Sequence, residues 1–296
     1  MTRKSSGETY AQVRAEASNP KGDVWWGGTG DPHLQAAEED LTEAYESPMR
    51  AELHDWAIKQ AEAADNKTIG VYSGALGFGY NKDLLAKNGL PEPKCWADLI
   101  KPEFKGHIQI ANPNSSGTAY TMLATMVQLM GEDEGFEYMK ALHKNVNQYT
   151  KSGSAPIKAA GLGETTVGIV FMHDAVAQSA AGFPIVAVAP CEGTGYEIGS
   201  MSLIKGARNP EEAKKFYDWA LTAEMQSKAK DADGDEQASE QRIGFPPPPQ
   251  EKRCEQKNAD RRQPELLALQ HEKEGGRDVV RQRPAVEQPE ESEEVV

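Results

Sequence analysis

A chain of 296 residues is long enough for one large core or two lobes of ordinary size. Its formal charge of -14 and pI near 5.0 exclude a nucleic-acid surface, which needs a basic face. Mean hydropathy is -0.65, and no apolar run approaches the ~20 residues that a membrane-spanning helix needs. The opening MTRKSSGETYAQ is basic but has no apolar h-region, so no signal peptide is read from it.

From residue 5 to about 230, strand-like runs alternate with helix-like segments, which predicts α/β architecture. DVWWGG (residues 23–28) reads as a strand ending in glycines, and residues 32–64 read as largely helical, interrupted at Pro48. TIGVYSGALGFGYN (68–81) is extended and glycine-rich, a strand with bends. HIQIANP (107–113) is a strand that Pro113 terminates. TAYTMLATMVQLM (118–130) has the composition of a mostly buried helix, and EDEGFEYMKALHKN continues as an amphipathic one. A further helix follows the SGS turn and ends at Gly161 and Gly163. Val167 to Met172 form a continuous apolar run, as in a strand buried on both faces, which stops at His173 and Asp174. After a small-residue helix comes a second buried strand, FPIVAVAP. NPEEAKKFYDWALTAEMQSKA then has Asn209 as cap, proline at the first helical position, acids in the first turn and lysines later.

Beyond about residue 231 the composition changes to few apolar residues, four consecutive prolines and mixed charge. Such a segment buries too little surface to offset its ordering entropy, so residues 236–296 are expected to form a disordered or poorly packed tail. A frame slip near KDADGDEQ is one account of the change. The three cysteines, Cys95, Cys191 and Cys254, are widely spaced and odd in number. Neither a disulfide framework nor a metal-ligand pattern is predicted from them.

Candidate binding chemistry clusters at strand ends, where open α/β sheets bind ligands. Gly28 and Thr29 lie in WWGGTGDP, where glycines open the backbone to approach but a tight turn would need them too. Ser115, Ser116, Gly117 and Thr118 supply hydroxyls and unpaired N–H groups at a helix start, a setting that favours anions and also serves plain capping. His173 and Asp174 end a strand, and Glu197 sits among glycines in CEGTGYEIGS. Gly-x-Ser-x-Gly, Walker and zinc motifs are absent. Adjacent His and Asp side chains point to opposite faces if extended, so they make no ready relay. The inventory is that of a binding site, with donors for an anion and carboxylates for hydroxyls or amines.

With these residues assembled, the sequence resembles the substrate-binding proteins of bacterial ABC importers, in the ferric-iron or extracellular solute-binding branch. The phrases that carry the resemblance are NPKGDVWWGGTGD, GFGYNKDLL, LPEPKCWADLIKPEFKGHIQIANPNSSGTAY, SGSAPIKAAGLGETTVGIVF and GTGYEIGSMSLIKGARNPEEAKKFYDWAL, spread over about residues 5–230. The resemblance implies a two-lobed type II periplasmic binding fold that closes on ligand at a hinge. Residues 1–78 and 197–235 would form a first lobe and 82–193 a second, with crossovers near YSGALGFGYN and CEGTGYEIGS. It implies a periplasmic monomer without cofactor or metal that delivers a small anionic solute to an inner-membrane permease.

Ferric-binding relatives carry adjacent tyrosines where this sequence has His173 and Asp174. The His-Asp pair, with Glu197, is instead similar to the sugar-phosphate-binding members. That likeness gives hydroxyls to His173, Asp174 and Glu197, and phosphate to Ser115, Ser116, Gly117 and Thr118. Family members usually begin with a signal peptide, a strand, a helix and a second strand before the SSGE phrase. An incomplete first lobe is therefore expected, and restoring such a segment is expected to raise the melting temperature. Ferric-iron transport, a truncated nonfunctional product and a phosphate-ester enzyme with His173 as acid or base are the alternatives.

Overall fold

The computed structural model describes residues 2–232, with side chains to residue 228. In chain order the elements are α1 (Ser6–Ala15), β1 (Val24–Thr29), α2 (Gly30–Glu38), β2 (Thr42–Glu43), α3 (Asp55–Glu62) and β3 (Ile69–Asn81). Next come α4 (Lys82–Lys87), β4 (Ile108–Ala111), α5 (Gly117–Met130), α6 (Glu132–His143), β5 (Val146–Thr150) and α7 (Ala155–Gly161). The rest are β6 (Val167–Phe171), α8 (Met172–Ala180), β7 (Ile185–Val188), β8 (Tyr196–Ile204), α9 (Pro210–Ala220) and α10 (Ala223–Ala232).

β3 organises the molecule. Strand order is β1-β8-β3-β6-β4-β5, with β2 paired to β8 and β7 to β3. The first part of β3, Ile69 to Ala75, lies antiparallel to β8. Its second part, Leu76 to Tyr80, lies antiparallel to β6, which runs parallel to β4 as β4 does to β5. Each part feeds a different apolar core. Ile69 and Val71 pack with Met201, Leu203 and Tyr217, whereas Leu76, Phe78 and Tyr80 pack with Trp96, Phe104, Ile108 and Met122. Tyr72 packs against the first core, and the small residues Ser73, Gly74 and Ala75 that follow it belong to neither core.

The wholly buried run of β6 fits its position between β3 and β4, and it ends one residue earlier than its apolar character suggests. Met172 is already helical, and His173 and Asp174 occupy the first turn of α8. Residues 32–64 are less helical than expected, since β2 and a 3-10 turn at Pro48–Glu52 separate α2 from α3. The long helix expected from Asn209 is two helices. Thr222 breaks it by accepting the Met225 N–H at 3.3 Å, which starts α10. Asn209 does not cap α9 with its side chain. Its N–H and Nδ2 both donate to the Asp23 carboxylate at 3.0 Å, tying the helix start to the residue before β1 and holding the Asp23 carboxyl below its usual range.

The cysteine expectation is corrected. Cys95 and Cys191 form a disulfide across a sequence separation of 96, with Cα atoms 4.8 Å apart. Spacing along the chain could not reveal it, because a bridge depends on a Cα approach that only the tertiary fold creates. Here that approach is made by a lace of hydrogen bonds. The Cys191 N–H donates to the Lys94 carbonyl at 3.0 Å, and the Glu192 carboxylate accepts from the N–H groups of Trp96 and Ala97 at 2.8 and 2.9 Å. Cys254 and the expected tail lie outside the described residues.

Candidate ligand-binding site

A cavity of about 460 Å³ lies where β1, β4 and β6 hand over to helices and turns, with Tyr72 of β3 and Glu197 at the start of β8 beside it. Four helices of nine or more residues start at it. Their N-cap residues, Ser5 of α1, Thr29 of α2, Ser116 of α5 and Phe171 of α8, all line the cavity. Each helix start presents N–H groups without intrahelical partners and the positive end of a macrodipole, so the four together make the cavity attractive to an anion. The caps are unusual in one respect. Neither Thr29 nor Ser116 uses its side chain to cap its own helix, and Thr29 Oγ1 is buried with no hydrogen-bond partner. An unpaired buried hydroxyl costs free energy of about 1–3 kcal/mol, which a ligand accepting its proton would recover.

Cations surround the same space. Arg3, Lys4 and Lys151 line the cavity, and Lys151 Nζ pairs with the Glu8 carboxylate at 2.7 Å. Backbone and side-chain bonds join α1 to the turns around it. Gly7 N–H donates to the Ser115 carbonyl at 3.1 Å, and Ser5 Oγ donates to the Lys151 carbonyl at 3.2 Å. Ser6 Oγ accepts the Thr29 N–H at 3.1 Å, and the Tyr72 hydroxyl accepts the Gly28 N–H at the same distance. The Gly28 N–H is thus engaged rather than open.

Acidic groups form a second set. His173 and Asp174 line the cavity from the first turn of α8, with His173 Nε2 3.9 Å from Asp174 Oδ2 and its ring stacked on Phe171. Asp174 also serves the helix, since a carboxylate in the first turn complements the macrodipole. Glu197 enters from β8. It is only 7% exposed, Oε2 has no partner, and burial first, then the charges of Asp174 and Asp31, push its carboxyl well above the usual range.

Of the residues singled out from sequence, Gly28, Thr29, Ser116, Gly117, Thr118, His173, Asp174 and Glu197 line this one cavity. Ser115 is not among its lining residues. Its hydroxyl lies 3.2 Å from the Asn112 carbonyl and 3.0 Å from that of Lys151, in the turn before α5. The sequence reading missed Arg3, Lys4, Ser5, Ser6, Glu8, Tyr72 and the KSGS turn from Lys151 to Ser154. A signal for part of this was present, because Ser5 and Glu8 have the spacing of a capping box and mark a helix start. Nothing comparable marked Tyr72 or Lys151.

Close packing holds the helix starts in place. A Cβ on Gly117 would overlap the Thr29 side chain, so α5 can approach α2 only with glycine there. Gly117→Ala is expected to push the two N-termini apart and weaken ligand binding by about tenfold or more, a cost of ~1.4 kcal/mol. Calorimetry beside a thermal melt checks this, and unchanged affinity would mean that the contact does not shape the site. Among the described residues, one group of His, Cys and acidic side chains comes within metal-binding distance of itself, Cys95, Cys191 and Glu192, and its sulfurs are bonded to each other.

Residues 29–258 match the model of the bacterial extracellular solute-binding protein family. The chain belongs to this family. It is 51% identical over 228 residues to an uncharacterized protein of Haemophilus influenzae, covering 77% of itself and 66% of that protein. It thus spans less than two thirds of the length of the curated relatives it matches. Among solved structures it is similar to the periplasmic binding protein AfuA from Actinobacillus pleuropneumoniae with fructose-6-phosphate bound, at 50% identity and a TM-score of 0.76. That match covers 78% of this chain and 73% of AfuA. The periplasmic binding protein P5PA is 42% identical with a TM-score of 0.74, over 76% of this chain and 72% of the other. The fold is that of the type II periplasmic binding proteins.

Proposed function

We propose that the chain is the solute-binding component of an ABC importer, not an enzyme. It captures a phosphorylated sugar or similar organophosphate and delivers it to a permease in the inner membrane. The observation that carries this reading is the convergence of four helix N-termini on one cavity, with the buried, unpartnered Thr29 hydroxyl among them. A phosphate has the acceptor oxygens and charge that such a cradle lacks, and Arg3, Lys4 and Lys151 add cations at the same place. His173, Asp174 and Glu197 would hold the sugar hydroxyls. AfuA, similar along most of this chain, was solved with a sugar phosphate bound, which supports the same class of ligand here.

The two apolar cores at either end of β3 support two lobes with β3 and β8 as the crossovers, and because Leu76 and Phe78 pack in the second core, the handover falls near Ala75 rather than at residue 78. The disulfide supports an oxidising compartment such as the periplasm.

Calorimetry with glucose phosphates, free phosphate, phosphonates and ferric citrate tests the reading. Binding to a glucose phosphate is expected to be stoichiometric and without turnover. Asp174→Ala should weaken it by about ten- to a hundredfold, since a charge-assisted hydrogen bond contributes roughly 1.5–3 kcal/mol. Ser116→Ala should weaken it less, because backbone donors remain. Ferric binding that survives loss of both His173 and Asp174, with no response to any organophosphate, would overturn the assignment.

A further inference from the structure

Glu197 is in an environment that an ordinary hydroxyl-accepting carboxylate would not tolerate. Its side chain is nearly sealed, Oε2 meets no donor, and the influences on its carboxyl are burial and the charges of two other acids. Its position on β8 is opposite Gly74 of β3. A Cβ on Gly74 would lie 3.1 Å from His173 Nδ1 and 3.9 Å from Glu197 Oε1, so the glycine keeps the space in which the imidazole and this carboxyl sit side by side.

The charged and titratable groups that face it come from three elements. α8 brings Asp174 and His173, and α2 brings Asp31. β3 contributes Tyr72, whose hydroxyl already takes the Gly28 N–H, and β1 carries no titratable side chain. The basic residues of the cavity do not figure among the influences on Glu197, and Lys151 is paired with Glu8. Two acids therefore press on a third that is almost wholly buried. The least costly arrangement leaves a proton on the buried one, as in other close carboxyl pairs.

We propose, resting on the sugar-phosphate reading of this cavity, that Glu197 binds solute as a neutral carboxylic acid. It donates its proton to a sugar oxygen while Asp174 accepts from a neighbouring hydroxyl. The pair then offers one donor and one acceptor, the pattern that a polyol presents in return. A dianionic phosphate elsewhere in the cavity meets one negative charge fewer. Ionising Glu197 removes the donor and adds a repulsive charge, so affinity falls by up to about tenfold per pH unit once the group begins to lose its proton.

The test uses the full chain with its glutamates labelled with carbon-13 at the side-chain carboxyl, glucose phosphates as probes, and the variants Glu197→Gln and Glu197→Ala. The Glu197 resonance, assigned by its loss in Glu197→Gln, should sit at the protonated position at about pH 7 and stay there when the sugar phosphate is added. Calorimetry above about pH 7 avoids the phosphate's own second ionisation near 6. There, wild-type protein should bind without net proton release, and Glu197→Ala should lose at least about tenfold in affinity, ~1.4 kcal/mol. Glu197→Gln, which keeps a donor but cannot ionise, should lose much less and should show no decline as pH rises.

An ionised Glu197 in the complex, or a Gln variant as weak as the Ala variant, would overturn the proposal. If the wild-type protein binds no sugar phosphate, the ligand reading fails by itself. The ligand-free resonance still decides the present proposal: an ionised carboxyl refutes the donor role, and a protonated one sustains it for whatever acceptor the cavity takes.

Discussion

Removing the disulfide by Cys95→Ala with Cys191→Ala is expected to lower the unfolding free energy by about 2–5 kcal/mol, the range seen when native bridges are lost. The bridge closes a loop of 96 residues. For a loop near that length the chain-entropy account gives a value of about 4.7 kcal/mol, at the upper end of the range. The melting temperature should fall by about 5–15 °C for a chain of this size. The Cys191 N–H donating to the Lys94 carbonyl, and the Trp96 and Ala97 N–H groups donating to the Glu192 carboxylate, still bring the two stretches together, so the fold should survive the loss. Urea unfolding followed by tryptophan fluorescence, with and without reductant and in a Cys254→Ser background, checks the effect. Trp96 is a good reporter because it is fully buried beside the bridge and packs edge-on against Phe78. A midpoint that reductant does not move would show that the bridge contributes nothing to stability.

What the sequence disclosed follows from how local each signal is. The apolar run of β6, the small, apolar face of α5 and the Asn-Pro-Glu-Glu start of α9 are contiguous patterns; burial accounts for the first two, and the exposed start of a helix for the third. Ser116, His173 and Asp174 were legible for a related reason, because a strand that stops at polar residues marks where a sheet edge opens. The rest of the cavity was not legible. Arg3, Lys4 and Lys151 meet only because α1 packs against the turns before α5 and after β5, and no pattern in the chain joins residues that far apart. Ser115 illustrates the limit of resolution. One residue from a lining position, its hydroxyl turns to the Asn112 carbonyl of its own turn and to the Lys151 carbonyl after β5. The break at Thr222 escaped because helix propensity runs through it, and only the hydroxyl bond to Met225 reveals the new cap.

Acid should destabilise the protein through His33, and Glu197 should work in the opposite sense. His33 is fully buried, stacked on Trp25 at 3.8 Å, with Nε2 3.2 Å from the Gly27 carbonyl and Nδ1 2.7 Å from Ser202 Oγ. A carbonyl can only accept, so Nε2 carries the proton and Nδ1 accepts from the hydroxyl. Burial drops its pKa from about 6.5 to about 3, with the Gly27 bond a smaller opposing influence. Below about pH 6.5 the unfolded chain binds a proton that the folded chain refuses, so stability falls by ~1.4 kcal/mol per pH unit. By about pH 3 the loss is of the order of 5 kcal/mol. Glu197 has its folded pKa raised instead. Its contribution is full below the ordinary glutamate range near 4.3 and is lost as pH rises toward its folded value. Between about pH 5 and 6.5 the two slopes oppose each other, above the range where ordinary carboxylates titrate. The wild-type protein should therefore change little in that window. His33→Gln, though weaker at neutral pH, should gain stability relative to wild type as pH falls from about 6.5 to 5, and Glu197→Gln should lose it, each by up to ~1.4 kcal/mol per unit. Urea unfolding at intervals across the window measures both. Parallel pH profiles for all three proteins would mean that neither group carries the shift its burial requires.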